Sequence, residues 1–125
     1  MQQPYSEKRG KELVLLNKYL ARMNKQVLKF WVNPYKGRRV FQGIIKFELS
    51  VNGYLEGARI YRASGHHLLD ISAMDAIRAV PRFHVPDDKV ITNRYYRSMI
   101  FEYSSIKIKT ELMPFEIEVQ DKEES

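Results

Sequence analysis

The sequence predicts an α+β domain, a small antiparallel sheet of three strands with a candidate fourth near the C-terminus, packed against two helices. Three observations carry this prediction. A helical apolar period over the first part of the chain gives way to a period of two near residue 40. An Asn52-Gly53 pair then separates two strand-like runs, and the helical period returns after Ser64-Gly65. Helices gathered on one face of a short antiparallel sheet are the layer arrangement that this order satisfies.

From about Glu7 to Val32 the pattern is helical. Leu13, Leu16, Leu20, Met23, Val27 and Phe30 recur at spacings of three and four and form one stripe, while Lys11, Lys18, Arg22, Lys25 and Lys29 fall on other faces. Asn33-Pro34 stops the helix, because proline disfavours helical geometry in the residue before it. Tyr35-Lys36-Gly37 reads as a turn.

From Val40 to Val51, Phe41, Ile45, Phe47, Leu49 and Val51 alternate with Lys46, Glu48 and Ser50, which predicts a half-buried strand. Gly43 marks a bulge or a close approach of another group. Asn52-Gly53 signals a tight hairpin whose two central residues take positive φ. A second strand runs from about Tyr54 to Arg62. Leu69, Ala73, Ala76, Ile77 and Val80 then share a helical face up to Pro81, and PRFHVPDDKVITN reads as a connector. Arg94 to Ser104 alternates again. Ile106–Leu112 is a further β-like run, followed beyond Pro114 by the alternating FEIEV.

At 125 residues the chain predicts a single domain over 1–125. Its core spans about 8–104, an extra strand-like segment 105–119, and a frayed acidic tail 120–125. The absence of cysteine excludes disulfides, zinc-thiolate sites and a cysteine nucleophile. No apolar run approaches the ~20 residues of a membrane-spanning helix. The net charge of +6 is uneven. Residues 1–40 hold ten Lys or Arg against Glu7 and Glu12, and the rest of the chain holds eleven against thirteen acidic residues. A basic front allows contact with nucleic acid, anionic lipid or an acidic partner without choosing among them.

The segment Ser64-Gly65-His66-His67-Leu68-Leu69-Asp70 gathers a hydroxyl, two imidazoles and a carboxylate. As a metal site it would use His66 or His67 with Asp70, and His84 in addition. Adjacent histidines diverge by about 100° on a helix, and two ligands do not make a site. A Ser64–His–Asp70 triad would need an oxyanion hole and an oriented base that sequence neighbours rarely supply. The structural reading is stronger. Ser64 caps the helix, Gly65 takes positive φ, and Asp70 sits in the first turn, where the helix dipole favours a carboxylate. Asp87-Asp88 reads as a solvated turn rather than a catalytic pair. The basic helix face lacks the stacking aromatics of single-strand binders. The expectation is a protein with no catalytic residue, metal site, cofactor or nucleic-acid partner, with a small basic nucleic-acid-binding module using the first helix as the second alternative.

The run Arg94–Ser104 stands out, with three tyrosines and one phenylalanine in eleven residues. As the edge of the sheet it would offer unpaired backbone groups to a partner strand, while Met99, Phe101 and Tyr103 stay in the core. The expected partner-binding residues are Arg94, Tyr95, Tyr96, Arg97, Ser98, Met99, Ile100, Phe101, Glu102 and Tyr103.

Pro34, Gly43, Asn52-Gly53, Ser64-Gly65, Leu69-Asp70, Ala73, Ala76-Ile77, Pro81, Phe83 and Pro86, in this order and spacing, resemble the C-terminal domain of TonB-like energy transducers, with the TolA domain as the near relative. The resemblance covers about Tyr19 to Tyr103. It implies the periplasmic end of a protein anchored in the inner membrane and driven by an ExbB/ExbD-type motor complex, the anchor lying outside this sequence. It also implies docking on TonB-dependent outer-membrane transporters, whose TonB box adds as a strand beside Arg94–Ser104 and carries force for substrate uptake. Three features depart from that pattern. The long first helix with Trp31 ahead of Pro34 is closer to TolA, whose envelope-integrity role is the alternative reading; TolA domains, however, usually carry cysteines. The segment from Ile106 to Val119 is placed to cover the docking edge, or to exchange between copies in a homodimer.

Overall fold

The computed structural model describes residues 4–106 and 110–115, with side chains described from residue 14 onward. Its elements are α1 (Pro4–Phe30), β1 (Gln42–Leu49), β2 (Leu55–Arg62), α2 (His67–Ala79), α3 (Lys89–Tyr95), β3 (Ser98–Ser104) and β4 (Glu111–Pro114). The four strands form one antiparallel sheet in the order β2-β1-β3-β4, with α1 and α2 against one face. This is the expected α+β class, enlarged by one short helix and a paired fourth strand.

The periodicities explain the core. Leu16, Met23 and Val27 of α1 are buried, as are Leu69, Ala73, Ala76 and Ile77 of α2. They meet Ile45, Phe47 and Leu49 of β1 and Met99, Phe101 and Tyr103 of β3 in one cluster. Each large side chain so buried stabilises the fold by about 1.5–3 kcal/mol relative to exposure. Phe30 departs from the stripe: the helix ends on it and it stays 40% exposed. Trp31 takes over, its ring edge-on to Phe101 with centroids 6.4 Å apart and its Nε1 donating to Ser72 Oγ at 3.0 Å. Lys18, Arg22, Lys25 and Lys29 face solvent.

Two glycines hold positions no other residue would fit. At Gly53, φ is 93°, and a Cβ would run into the carbonyl of Phe83. The expected two-residue turn is instead a three-residue loop. Ser50 N–H donates to Tyr54 C=O at 2.7 Å and Gly53 N–H to Ser50 C=O at 3.0 Å, with positive φ at Gly53 and not at Asn52. That is a type I turn closed by a glycine bulge. It frees the Asn52 carbonyl for Arg82 Nε at 2.7 Å and the Gly53 carbonyl for Phe83 N–H at 2.8 Å, tying the hairpin to the connector. At Gly43, a Cβ would stand 2.5 Å from the Tyr103 hydroxyl and 2.9 Å from the Arg62 carbonyl, so close approach is the correct reading.

The second half of the chain requires corrections. Across the end of the expected connector and the start of the expected strand, Lys89–Tyr95 is helical. Asp88 caps it, accepting from Val90 N–H at 2.9 Å, and buried Thr92 donates its hydroxyl to Pro86 C=O at 2.9 Å. These local bonds outweigh the β-like composition of Val90, Ile91 and Thr92. Arg94 and Tyr95 are therefore helical, Tyr96 is the C-cap, and the strand begins at Ser98. The strand expected over Ile106–Leu112 begins at Glu111. Residues 107–109 and the Glu116–Val119 part of FEIEV lie outside the described residues.

On the sheet face away from the helices, Ile44 and Ile100 are also buried, outside the main cluster. Phe115, just past β4, packs edge-on against Tyr61 at 5.6 Å, with the Lys46 ammonium 4.4 Å above its ring.

Candidate partner-binding edge

The residues expected to form a free edge are divided among three settings. Arg94 lies at the end of α3 with its guanidinium 5.9 Å from the Tyr95 ring centre. Tyr96 is fully buried, and its hydroxyl donates to the Leu16 carbonyl at 3.2 Å, joining the α3 corner to α1. Burial first, then the neighbouring Tyr19 and Tyr95, push its phenol well above the ordinary value. Arg97 clamps the corner. Its Nε donates to Leu49 C=O at 2.6 Å, and its guanidinium reaches Asn93 at 2.9 Å and Glu56 at 3.4 Å. Only Ser98 to Tyr103 belong to β3, and β3 is not an edge. It pairs with β1 from Ser98 to Ser104 and with β4 from Met99 to Glu102.

The serine–histidine–aspartate segment braces β3. The Tyr103 hydroxyl donates to Asp70 Oδ1 at 2.7 Å, and the same oxygen accepts Ser64 N–H at 3.1 Å. Burial, the bond to Asp70 and the charge of its carboxylate together push the Tyr103 phenol well above its usual range. The helix cap is His66 rather than the expected Ser64: Nδ1 of His66 accepts Leu69 N–H at 3.2 Å. Ser64 Oγ accepts the His66 N–H at 3.1 Å, closing the turn ahead of it. The His66 ring also packs against Tyr35 and Phe41, at 5.1 and 5.2 Å. Gly65 takes the expected positive φ, 93°. His67 and His84 are exposed, and among the described residues no three potential ligands converge on one point.

The outer strand β4 is short, four residues against seven in β3. Leu112 is buried opposite Phe101, and α1 packs against β4, so this strand lies between β3 and the helix. Beyond the ladder, the Thr110 hydroxyl accepts Ser104 N–H at 3.2 Å and reaches its carbonyl at 3.5 Å. A cavity of about 50 Å³ adjoins one end of this arrangement, lined by Arg94, Arg97, Ser98 and Pro114 among others. A larger one of about 350 Å³ opens at the other end among Leu28, Trp31, Asn33 and Ser105. Sequence reasoning missed Asp88 as a cap, although an Asp ahead of an apolar pair is a helix-start signal. It also left Thr110 without a role, and nothing local could have revealed that contact.

No family model matches the sequence, and no curated protein matches it. Among solved structures, the fold is similar to the solution NMR structure of TolAIII bound to a peptide derived from the N-terminus of TolB. The TM-score is 0.58 at 23% sequence identity, over 67% of this chain and 69% of that one. The helix-backed antiparallel sheet of this chain thus shares its fold with TolAIII.

Proposed function

We propose that this chain is a non-enzymatic binding domain of the TolA kind, which works in the periplasm and captures an extended peptide segment of an envelope partner as an added strand. The observation that carries this reading is the fold likeness to a domain whose structure holds a partner peptide. The 27-residue α1 running into Trp31 favours the TolA reading over a TonB domain with its shorter lead-in. Met99, Phe101 and Tyr103 anchor β3 in the core and leave its backbone direction fixed, which is what strand addition needs. In the fuller version of this proposal, an inner-membrane anchor outside this sequence ties the domain to an ion-driven motor complex.

The competing arm is the TonB role, in which the captured segment is the TonB box of an outer-membrane transporter. An NMR titration of the full chain with each peptide separates the two. We expect a TolB N-terminal peptide to shift amides in β3 and β4. Shifts with the TonB-box peptide alone would transfer the domain to the transport role. Silence with both would refute strand capture.

A further inference from the structure

We propose that β4 is a resident stand-in for the partner strand, filling only part of a longer groove between the β3 edge and α1. This inference rests on the strand-capture reading above and specifies what the groove accepts. The partner is an antiparallel extended segment longer than β4. It carries an apolar side chain where Leu112 stands and a basic one where Glu111 stands.

Four observations fit a stand-in rather than a permanent strand. β4 pairs four residues of β3, Met99 to Glu102, whereas β1 pairs seven along the same strand. One of the four β4 residues is Pro114, opposite Met99, which has no N–H to give to a ladder. At the other end Glu111 stands directly opposite Glu102, and like charges facing across strands weaken the pairing. Two positions past the last pair, Glu102 with Glu111, Ser104 is served by the Thr110 hydroxyl where a continuing strand would offer backbone groups.

The groove itself extends further than its occupant. The 350 Å³ cavity beside Ser105 gives an added strand room at that end, while the Pro114 end opens only on the small 50 Å³ cavity. Leu112 shows what the floor demands, since it is buried at 5% exposure while Glu111 is exposed. A lysine or arginine in the Glu111 place would turn the like-charge pair with Glu102 into an attractive one. Tethered, β4 enjoys an effective concentration of millimolar order, which a free segment must overcome through its greater length and better charge match.

The test uses the full chain in three forms: wild type, Leu112→Ala, and the double variant Glu102→Cys/Glu111→Cys. The natural sequence contains no cysteine, so the introduced pair is the sole disulfide that can form. Residues facing each other across antiparallel strands lie about 4.5–5.5 Å apart, within disulfide range. The probe is the blocked peptide Thr-Lys-Leu-Met-Pro-Phe, which copies β4 with lysine in place of its glutamate. We expect it to shift the amides of Met99 to Glu102 and to bind L112A at least about tenfold tighter than wild type. Oxidation of the cysteine pair should weaken binding by about tenfold or more relative to the reduced form, which also covers the case in which L112A fails to fold. Equal binding to oxidised and reduced protein, shifts along β2 instead, or no binding to any form would overturn the inference. A TolB peptide that binds the oxidised and reduced pair alike would refute the stand-in while leaving strand capture intact.

Discussion

Tyr103 and Tyr96 make the alkaline stability of this fold a direct reporter of its two buried phenols. Both are fully buried, and both are pushed well above the ordinary value of 10.0. In the unfolded chain each phenol loses its proton near pH 10, while the folded chain keeps it. Between those limits the folded state binds more protons, so the stability each buried phenol contributes is complete below pH 10 and falls as pH rises. The size of the early loss does not depend on how far the folded value is raised. Integrated between about pH 9 and about pH 11, each tyrosine removes about 1.4 kcal/mol, and the pair about 2.7 kcal/mol. Urea unfolding of wild type, Tyr103→Phe and Tyr96→Phe at those two pH values measures it. The other side chains are common to all three proteins, so their contributions cancel in the comparison. Each variant should show an alkaline loss about 1.4 kcal/mol smaller than wild type. At neutral pH, Tyr103→Phe should cost about 1.5 kcal/mol for its bond to the Asp70 carboxylate. An alkaline loss in Tyr103→Phe equal to that of wild type would show that the phenol ionises inside the fold, and the burial argument would fail.

Three further outcomes follow from the same geometry. His66→Ala should destabilise by about 1 kcal/mol through loss of the cap on Leu69 N–H, while His67→Ala, exposed beside it, stays within about 0.5 kcal/mol by thermal or urea unfolding. Gly53→Ala should cost more than the ~1 kcal/mol that a glycine-to-alanine change normally gains, because φ of 93° and the Phe83 carbonyl both oppose a Cβ; an unchanged urea midpoint would contradict this. Asp88→Ala should cost about 1 kcal/mol and speed hydrogen exchange at Val90 and Ile91, whose amides it accepts.

The elements that were legible in the sequence are those whose partners are local or periodic. Leu16, Met23 and Val27 declare a helix face by spacing alone, and Ile45, Phe47 and Leu49 declare a strand face in the same way. Gly43 and Gly65 were legible because a missing Cβ permits a close approach at the one and a positive φ at the other that a side chain would oppose. The α3 helix was not legible from composition. Val90, Ile91 and Thr92 have strand propensity, and the decision rests on Asp88 and on a hydroxyl bond from Thr92 to Pro86. The hairpin was right in place and wrong in type, because the Asn52 and Gly53 carbonyls are recruited by Arg82 and Phe83 some thirty residues on.

The role of a strand within its sheet is harder to read than the strand itself. Period two reads a strand over Arg94–Ser104, four residues too long at its start, and sorts the side chains of β3 into two faces, but an edge is defined by what lies beside the backbone. Here that neighbour is β4, held by one leucine and the Thr110 hydroxyl and weakened by a proline and a facing glutamate pair. None of these has a periodic signature, since four residues hold barely two turns of a strand alternation. The segment that resembled an active site teaches the converse. Ser64, His66 and Asp70 are drawn together because the chain must turn there, and their hydrogen bonds are spent on the turn, the helix cap and Tyr103. By fixing Tyr103, Asp70 fixes one end of the strand on which a partner would add. Under the proposed strand capture the polar cluster would bear on binding through the rigidity of β3, and loss of the Asp70–Tyr103 bond should loosen that end of the strand first.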